Sequence, residues 1–194
     1  MSTPVTWWWV RHGPTHAKNM VGWRDLPADL SDTEALARLS GHLPDGAAVV
    51  SSDLIRAVAT ADAIDTGRTR LPHTPDLREF HFGDWDGLGW KEVADRDPEL
   101  SRAFWETPGD HVAPGGESWN QLAARVSGVV DGMNRAGHAN IVAVAHFGVI
   151  LTQIARAGGM TAYQALGHKI DNLSVTRLHW DGADWSIGAI NHLP

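Results

Sequence analysis

The sequence predicts an α/β protein, a three-layer α/β/α sandwich around a mainly parallel sheet with at least one antiparallel strand. Three observations carry that expectation. Apolar runs of strand length at 5–10, 47–51 and 141–145 alternate with stretches whose apolar residues recur at helical spacing, as parallel strands and their crossover helices do. The runs 47–50 and 142–145 are apolar without interruption, which suits strands buried on both faces. The C-terminal stretch reads as a hairpin, with 173–180 and 184–190 joined through Asp181-Gly182-Ala183, and a hairpin requires antiparallel pairing.

The elements follow in order. Residues 5–10 are β-branched and aromatic and stop at Arg11-His12-Gly13-Pro14, a strand running into a loop. Trp7, Trp8 and Trp9 then alternate between the two faces of that strand. Residues 31–43 form a helix: Ser31 and Glu34 have capping-box spacing, and Leu36, Leu39 and Leu43 share one face. After the strand at 47–51, Asp53 stands where it could cap a helix reaching about Asp65. The middle, 72–116, is rich in Pro, Gly, Trp and Asp and has little periodicity. It reads as loops with short helices near 90–96 and 98–105. A long helix at 118–135, a strand at 141–145 and a helix at 147–157 beginning directly after His146 complete the pattern.

A chain of 194 residues suits one domain, 1–194, with the loop-rich 72–116 as its specificity segment. The net charge of −7, with no Lys- or Arg-rich stretch, argues against nucleic acid as a partner. The absence of cysteine removes disulfides, zinc thiolate sites and cysteine nucleophiles. Residues 1–10 have neither the basic start nor the apolar core of a signal peptide, and no window approaches the roughly 20 apolar residues of a membrane span. A cytoplasmic protein without a membrane partner is the expectation. Nothing in the sequence specifies an oligomeric state.

Ligands of such sheets bind beyond the carboxyl ends of the strands. Arg11-His12-Gly13 follows the first strand, Ser51-Ser52-Asp53-Leu54-Ile55-Arg56-Ala57 the second, and Val144-Ala145-His146-Phe147-Gly148-Val149 a later one. Arg11, His12, Arg56 and His146 should therefore meet at one sheet edge. The loop Leu77-Arg78-Glu79-Phe80-His81-Phe82-Gly83-Asp84-Trp85-Asp86-Gly87 can bring a carboxylate over them. Singly, each has a plainer reading: a strand-end His is usually a satisfied loop residue, and Arg56 alone would be a helix-face partner of Asp53. Their convergence on one edge is what favours chemistry.

These four elements, with Pro114-Gly115-Gly116-Glu117-Ser118 and Asn172-Leu173-Ser174-Val175-Thr176, resemble in order the histidine phosphatase superfamily, which includes cofactor-dependent phosphoglycerate mutases and many small phosphatases. The resemblance covers nearly the whole chain and implies a phosphoglycerate mutase-like fold. It implies that Glu79 is the acid that protonates the leaving alcohol and afterwards the base that activates water. The residue types agree with that chemistry. Arg11 and Arg56 can grip phosphate oxygens bidentately, His146 can donate another bond, and His12 can attack phosphorus through a neutral ring nitrogen. Burial among Phe80, Phe82 and Trp85 would keep Glu79 protonated. His81, Asp84 and Asp86 are the alternative acids. Three positions depart from the family pattern. Pro14 stands where Glu or Gln is common, Lys18 where an Asn is expected (with Asn19 beside it), and Phe147 where Gly is frequent, which should narrow the pocket.

Other chemistries lack their signatures. His12 and His16 are four apart, but Gly13-Pro14 between them forbids the helix a metal pair would need, and there is no His-Glu-x-x-His, Gly-x-Ser-x-Gly or Walker motif. No metal and no cofactor are expected. Of the ten Trp, Trp23, Trp85, Trp90 and Trp105 are the candidates for lining a cleft. The expected function is metal-independent hydrolysis of a small phosphorylated substrate through a phosphohistidine. Two alternatives stay open: a mutase, for which only Lys91, Arg96 and Arg102 could hold a substrate carboxylate, and a non-catalytic phosphate-binding domain.

Overall fold

The computed structural model describes residues 3–194, so Met1 and Ser2 of the N-terminal reading lie outside it. Six strands form one sheet: β1 (Val5–Arg11), β2 (Ala48–Ser51), β3 (Thr69–Arg70), β4 (Asn140–Ala145), β5 (Val175–Trp180) and β6 (Trp185–His192), in the spatial order β3-β2-β4-β1-β5-β6. The β3–β2, β2–β4 and β4–β1 pairs are parallel, whereas β1–β5 and β5–β6 are antiparallel. The expected hairpin is β5–β6. The two-residue β3 escaped the sequence reading because a strand that short carries no period.

Seven α-helices surround the sheet: α1 (Thr33–His42), α2 (Ile55–Ala63), α3 (Trp90–Arg96), α4 (Pro98–Glu106), α5 (Trp119–Asn134), α6 (Phe147–Gly158) and α7 (Ala162–Leu166). The alternation of side chains along each strand divides the core in two. On one face Val10, Val49, Val142 and Val144 meet Leu36, Leu39, Ala57 and Ala61 of α1 and α2. On the other, Trp7, Trp9, Ile141 and Ala143 meet Leu122, Val126, Val149 and Ile150 of α5 and α6. The result is the expected three-layer sandwich. Trp7 and Trp9 stack with centroids 5.1 Å apart and are fully buried, while Trp8 points to the opposite face against His42. The middle segment packs on the Trp7 side through Leu77, Phe80, Phe82, Trp85 and Phe104, which hold it over one end of the sheet.

Two capping expectations are corrected. Asp32, not Ser31, caps α1, accepting the Ala35 N–H at 2.9 Å, because the Ser31 N–H is already taken by Asp29. Asp53 does not cap α2. Its carboxylate is held by both arms of Arg78, at 2.7 and 2.6 Å, and the Ile55 N–H is satisfied by Asp25 at 2.7 Å from a separate loop. Ser118 and Gln121 form the capping box that starts α5. Among the described residues no helix is long and apolar enough to cross a membrane.

Candidate active site

The carboxyl ends of β1, β2 and β4 open into a cavity of about 350 Å³, whose lining includes Arg11, His12, Arg56 and Glu79. β1 ends at Arg11, and the His12 N–H continues the ladder to Ala145 C=O at 3.1 Å. The His12 carbonyl accepts from the Asn172 amide at 2.8 Å, and the next N–H, of Gly13, donates to Thr60 Oγ1 at 3.0 Å. The backbone around His12 is therefore anchored from both sides. Gly13 is required there, since a Cβ would come within 2.6 Å of Leu30 Cδ2 and 3.2 Å of the Asp29 carbonyl.

The ring of His12 is oriented by an acceptor and a donor. Nδ1 lies 2.7 Å from the Gly13 carbonyl, which can only accept, so the ring proton resides on Nδ1. Arg56 Nε, which can only donate, reaches Nε2 at 3.2 Å, so Nε2 presents its lone pair. Burial, and then the nearby Arg56 guanidinium, push the His12 pKa down to about 3, so the imidazole is neutral at physiological pH. Arg56 is itself buried, its other two nitrogens donating to Arg24 C=O at 2.9 Å and Gly22 C=O at 2.7 Å. This replaces the plainer reading of Arg56 as a partner of Asp53. Arg11 donates from Nη1 to Ile170 C=O at 2.6 Å and lies over the Phe147 ring.

His146 meets His12 edge to face, with ring centroids 5.0 Å apart. It is fully buried, and neither of its ring nitrogens has a protein partner among the described residues. Burial first, and the Arg56 charge second, hold its pKa well below the usual histidine value. The bond expected from His146 therefore comes from a neutral ring, which still offers one N–H.

Glu79 is buried too, and burial raises its pKa, as its sequence surroundings suggested. Two backbone donors oppose that rise: the Phe80 N–H at 2.9 Å and the Gly148 N–H, near both oxygens at 3.0 and 3.2 Å. The Gly148 N–H at the amino end of α6 is thus committed to Glu79. Gly148 sits so close that a Cβ would lie 2.5 Å from Glu79 Oε1. The Glu79 carbonyl is held by Trp23 Nε1 and Arg125 Nη2, each at 2.8 Å, and Arg125 is paired with Glu117. Thr60 and Arg125 were not singled out from the sequence, and Asn172 and Gly148 entered only as members of longer motifs; the contacts of all four are distant along the chain.

The alternative acids do not line the cavity. His81 Nδ1 accepts from Gly83, Asp84 faces Arg96 at the surface, and Asp86 holds the N–H groups of Gly22 and Arg24. Pro14 also lies off the cavity, in a neighbouring depression with His16, Asp29 and Leu30. Lys18, Asn19 and Phe147 do border the cavity, and the Asn19 amide donates to Gly87 C=O at 3.0 Å. Of the four Trp expected at a cleft, Trp90 and Trp105 line it. Trp85 is fully buried with its indole N–H on Asp97, and Trp23 supports the Glu79 backbone instead.

The family model of the histidine phosphatase superfamily (branch 1) matches residues 7–193. The chain belongs to the histidine phosphatase superfamily. It is 32% identical to a metal-independent phosphoserine phosphatase of Arabidopsis thaliana, over 95% of this chain and 81% of that protein. It is 34% identical to a bifunctional protein of Mycobacterium tuberculosis, of which it spans only 54%. Among solved structures, a mycobacterial glucosyl-3-phosphoglycerate phosphatase superposes with a TM-score of 0.82 at 26% identity, covering 97% of this chain and 99% of that one. This histidine phosphatase is an enzyme of the phosphoric monoester hydrolase class.

Proposed function

We propose that this histidine phosphatase hydrolyses the phosphomonoester of a small metabolite in two displacements, with His12 carrying the phosphoryl group between them. The observation that carries the reading is the hydrogen-bonding state of His12. With the proton on Nδ1 toward Gly13 C=O, the one lone pair of the ring sits on Nε2, where Arg56 Nε donates to it at 3.2 Å, and a phosphoryl group arriving in the cavity would take the place of that donor. In the first step Nε2 attacks phosphorus, the bond to the substrate alcohol breaks, and the Glu79 carboxyl gives its proton to the departing oxygen. The Gly13 carbonyl then supports the positively charged phosphorylated ring. In the second step water attacks phosphorus, the P–N bond breaks, and the Glu79 carboxylate takes the water proton. Inorganic phosphate leaves, and both side chains return to their starting forms.

Charge dispersed over the phosphoryl oxygens in flight is met by Arg11, Arg56 and the N–H of His146, already oriented and partly dehydrated, which is where most of the rate should originate. Hydrolysis is favoured over a mutase reaction by where the other cations go. Lys91 is paired with Asp95, Arg96 faces Asp84 and Asp97, and neither they nor Arg102 line the cavity. We read the chain as one domain, with 72–116 supplying the wall against which the alcohol sits.

The test is phosphate release from a panel of metabolite phosphates, with EDTA present, by wild type and His12→Ala, together with acid-quench mass spectrometry of wild type. The expected result is turnover that the substitution abolishes, plus a phosphoryl adduct on the His12 peptide. Equal turnover in both proteins would remove His12 from the reaction. Strict dependence on a bisphosphorylated primer would replace the hydrolase by a mutase.

A further inference from the structure

The cavity has two unlike ends, and the second bears on the alcohol that leaves; the inference rests on the phosphomonoesterase reading above. Beyond the two Arg the wall is mostly apolar and largely aromatic, with Met20, Phe82, Trp90 and Trp105, and Phe147 beneath Arg11 joins the two ends; Thr15, Lys18 and Asn19 are its polar residues. Trp90 lines the cavity yet keeps 55% of its surface exposed, so a large ring stands partly uncovered at the wall. It is backed edge-on by Trp105 at 5.2 Å, and Trp105 in turn by Phe104 at 4.8 Å, so the exposed ring is supported from behind. Phe147 is fixed under the Arg11 guanidinium, 5.6 Å from its ring centroid. Polar anchors at this end are few. The Asn19 amide is committed to Gly87, which leaves Lys18 as the one cation lining the cavity besides Arg11 and Arg56, among the described residues.

A phosphorylated carboxylic acid would need a second anion clamp, best made by a planar guanidinium fork, and the distal wall has none. A flat aromatic ring, by contrast, finds ring faces and edges. About 350 Å³ is near the lower limit for ligand pockets, which suits a phosphate and one ring system, not a peptide. We propose that the preferred substrates are phosphomonoesters of alcohols bearing a planar aromatic ring, seated against Trp90, Trp105 and Phe147, in preference to small phosphorylated carboxylates.

The experiment compares kcat/KM for 2-phenylethyl phosphate, 2-cyclohexylethyl phosphate and O-phosphoserine, none of which has an activated leaving group. The phenyl ester should exceed phosphoserine by about tenfold and its cyclohexyl counterpart by about fivefold. In Trp90→Ala the phenyl-to-serine ratio should fall by about tenfold, through KM for the phenyl ester, and Trp90→Phe should retain it. Phosphoserine turned over as well as the phenyl ester, or a ratio unchanged in Trp90→Ala, would overturn the proposal and leave the hydrolase reading standing. Release of phosphate from none of the three by wild type would overturn both.

Discussion

Replacing Glu79 by Gln separates the proton that side chain supplies from the shape it fills. The Gln side-chain oxygen can still accept from the Phe80 and Gly148 N–H groups that now hold the carboxylate at 2.9–3.2 Å. What is lost is the acidic proton. General acid catalysis of this kind contributes about 10²–10⁴ in rate, or about 3–5 kcal/mol of barrier. The full loss should appear only where the leaving oxygen needs a proton. For an alkyl phosphate, kcat/KM should fall by about 10²–10⁴, whereas for 4-nitrophenyl phosphate, whose phenolate leaves unaided, the fall should stay below about tenfold. The assay is the pair of kcat/KM values for each protein across pH. Wild type should lose alkyl ester turnover as pH rises through the raised pKa of Glu79, and the variant should lack that limb. Equal losses for both esters would refute Glu79 as the acid.

The same substitution makes a thermodynamic statement of opposite sign. A carboxyl whose pKa is raised in the fold binds its proton more tightly there than in the unfolded chain. Its contribution to stability is complete below the unfolded carboxyl pKa and is lost as pH rises through the folded value. Gln cannot ionise, so Glu79→Gln should melt higher than wild type at neutral and alkaline pH. Gain in stability together with loss of alkyl esterase activity would identify a buried group kept for chemistry at the expense of the fold.

Two further predictions follow from the same geometry. His12, with its pKa depressed to about 3, binds fewer protons folded than unfolded, so its contribution to stability is lost progressively as pH falls below about 6.5. Between pH 7 and pH 5 this amounts to about 2 kcal/mol, and the unfolding free energy of His12→Asn from urea titration should fall by that much less than that of wild type; parallel losses would show that His12 is not held neutral. In Gly148→Ala, a methyl group 2.5 Å from both Glu79 Oε1 and Phe80 Cδ2 must displace one of them. Overpacking of this kind costs about 1–3 kcal/mol, and alkyl phosphate turnover should drop with it while 4-nitrophenyl phosphate turnover is less affected; full activity with unchanged stability would mean that the helix end does not position Glu79.

The placement of four of the five candidate site residues was legible because the fold class assigns them a place. Arg11 ends β1, His12 and His146 directly follow β1 and β4, and Arg56 stands in the first turn of the helix after β2; in a parallel sheet those positions converge on one edge. Glu79 is different. It sits in a segment without period, and only the family-like spacing around it singled it out; the peptide groups of Phe80 and Gly148 that hold it gave no signal in side-chain identity. The same reason hid Arg125, and hid the contact though not the motif of Asn172, since their partners are 46 and 160 residues away. Near-neighbour chemistry was ambiguous for another reason. Ser31, Asp32 and Asp53 are all competent caps, and the choice among them was made by Asp29 and Arg78, both from outside the helices concerned.

If His146 serves the phosphoryl group as proposed, its charge state bears on how a phosphate binds. Arg11 and Arg56 both act to lower its pKa, and neither ring nitrogen has a protein partner among the described residues. A doubly negative oxyanion between those guanidinium groups would cancel most of their repulsion and would offer the ring an acceptor. Both effects raise the His146 pKa, so binding should draw in protons. Titrating inorganic phosphate or tungstate into the protein by calorimetry, in two buffers of different ionisation enthalpy, measures that uptake directly. A fraction of a proton should be taken up per site, more at pH 6 than at pH 8, and less in His146→Gln. An uptake of zero at both pH values, or one equal in the variant, would mean that the ring stays neutral throughout and contributes only its one N–H to the bound phosphoryl group.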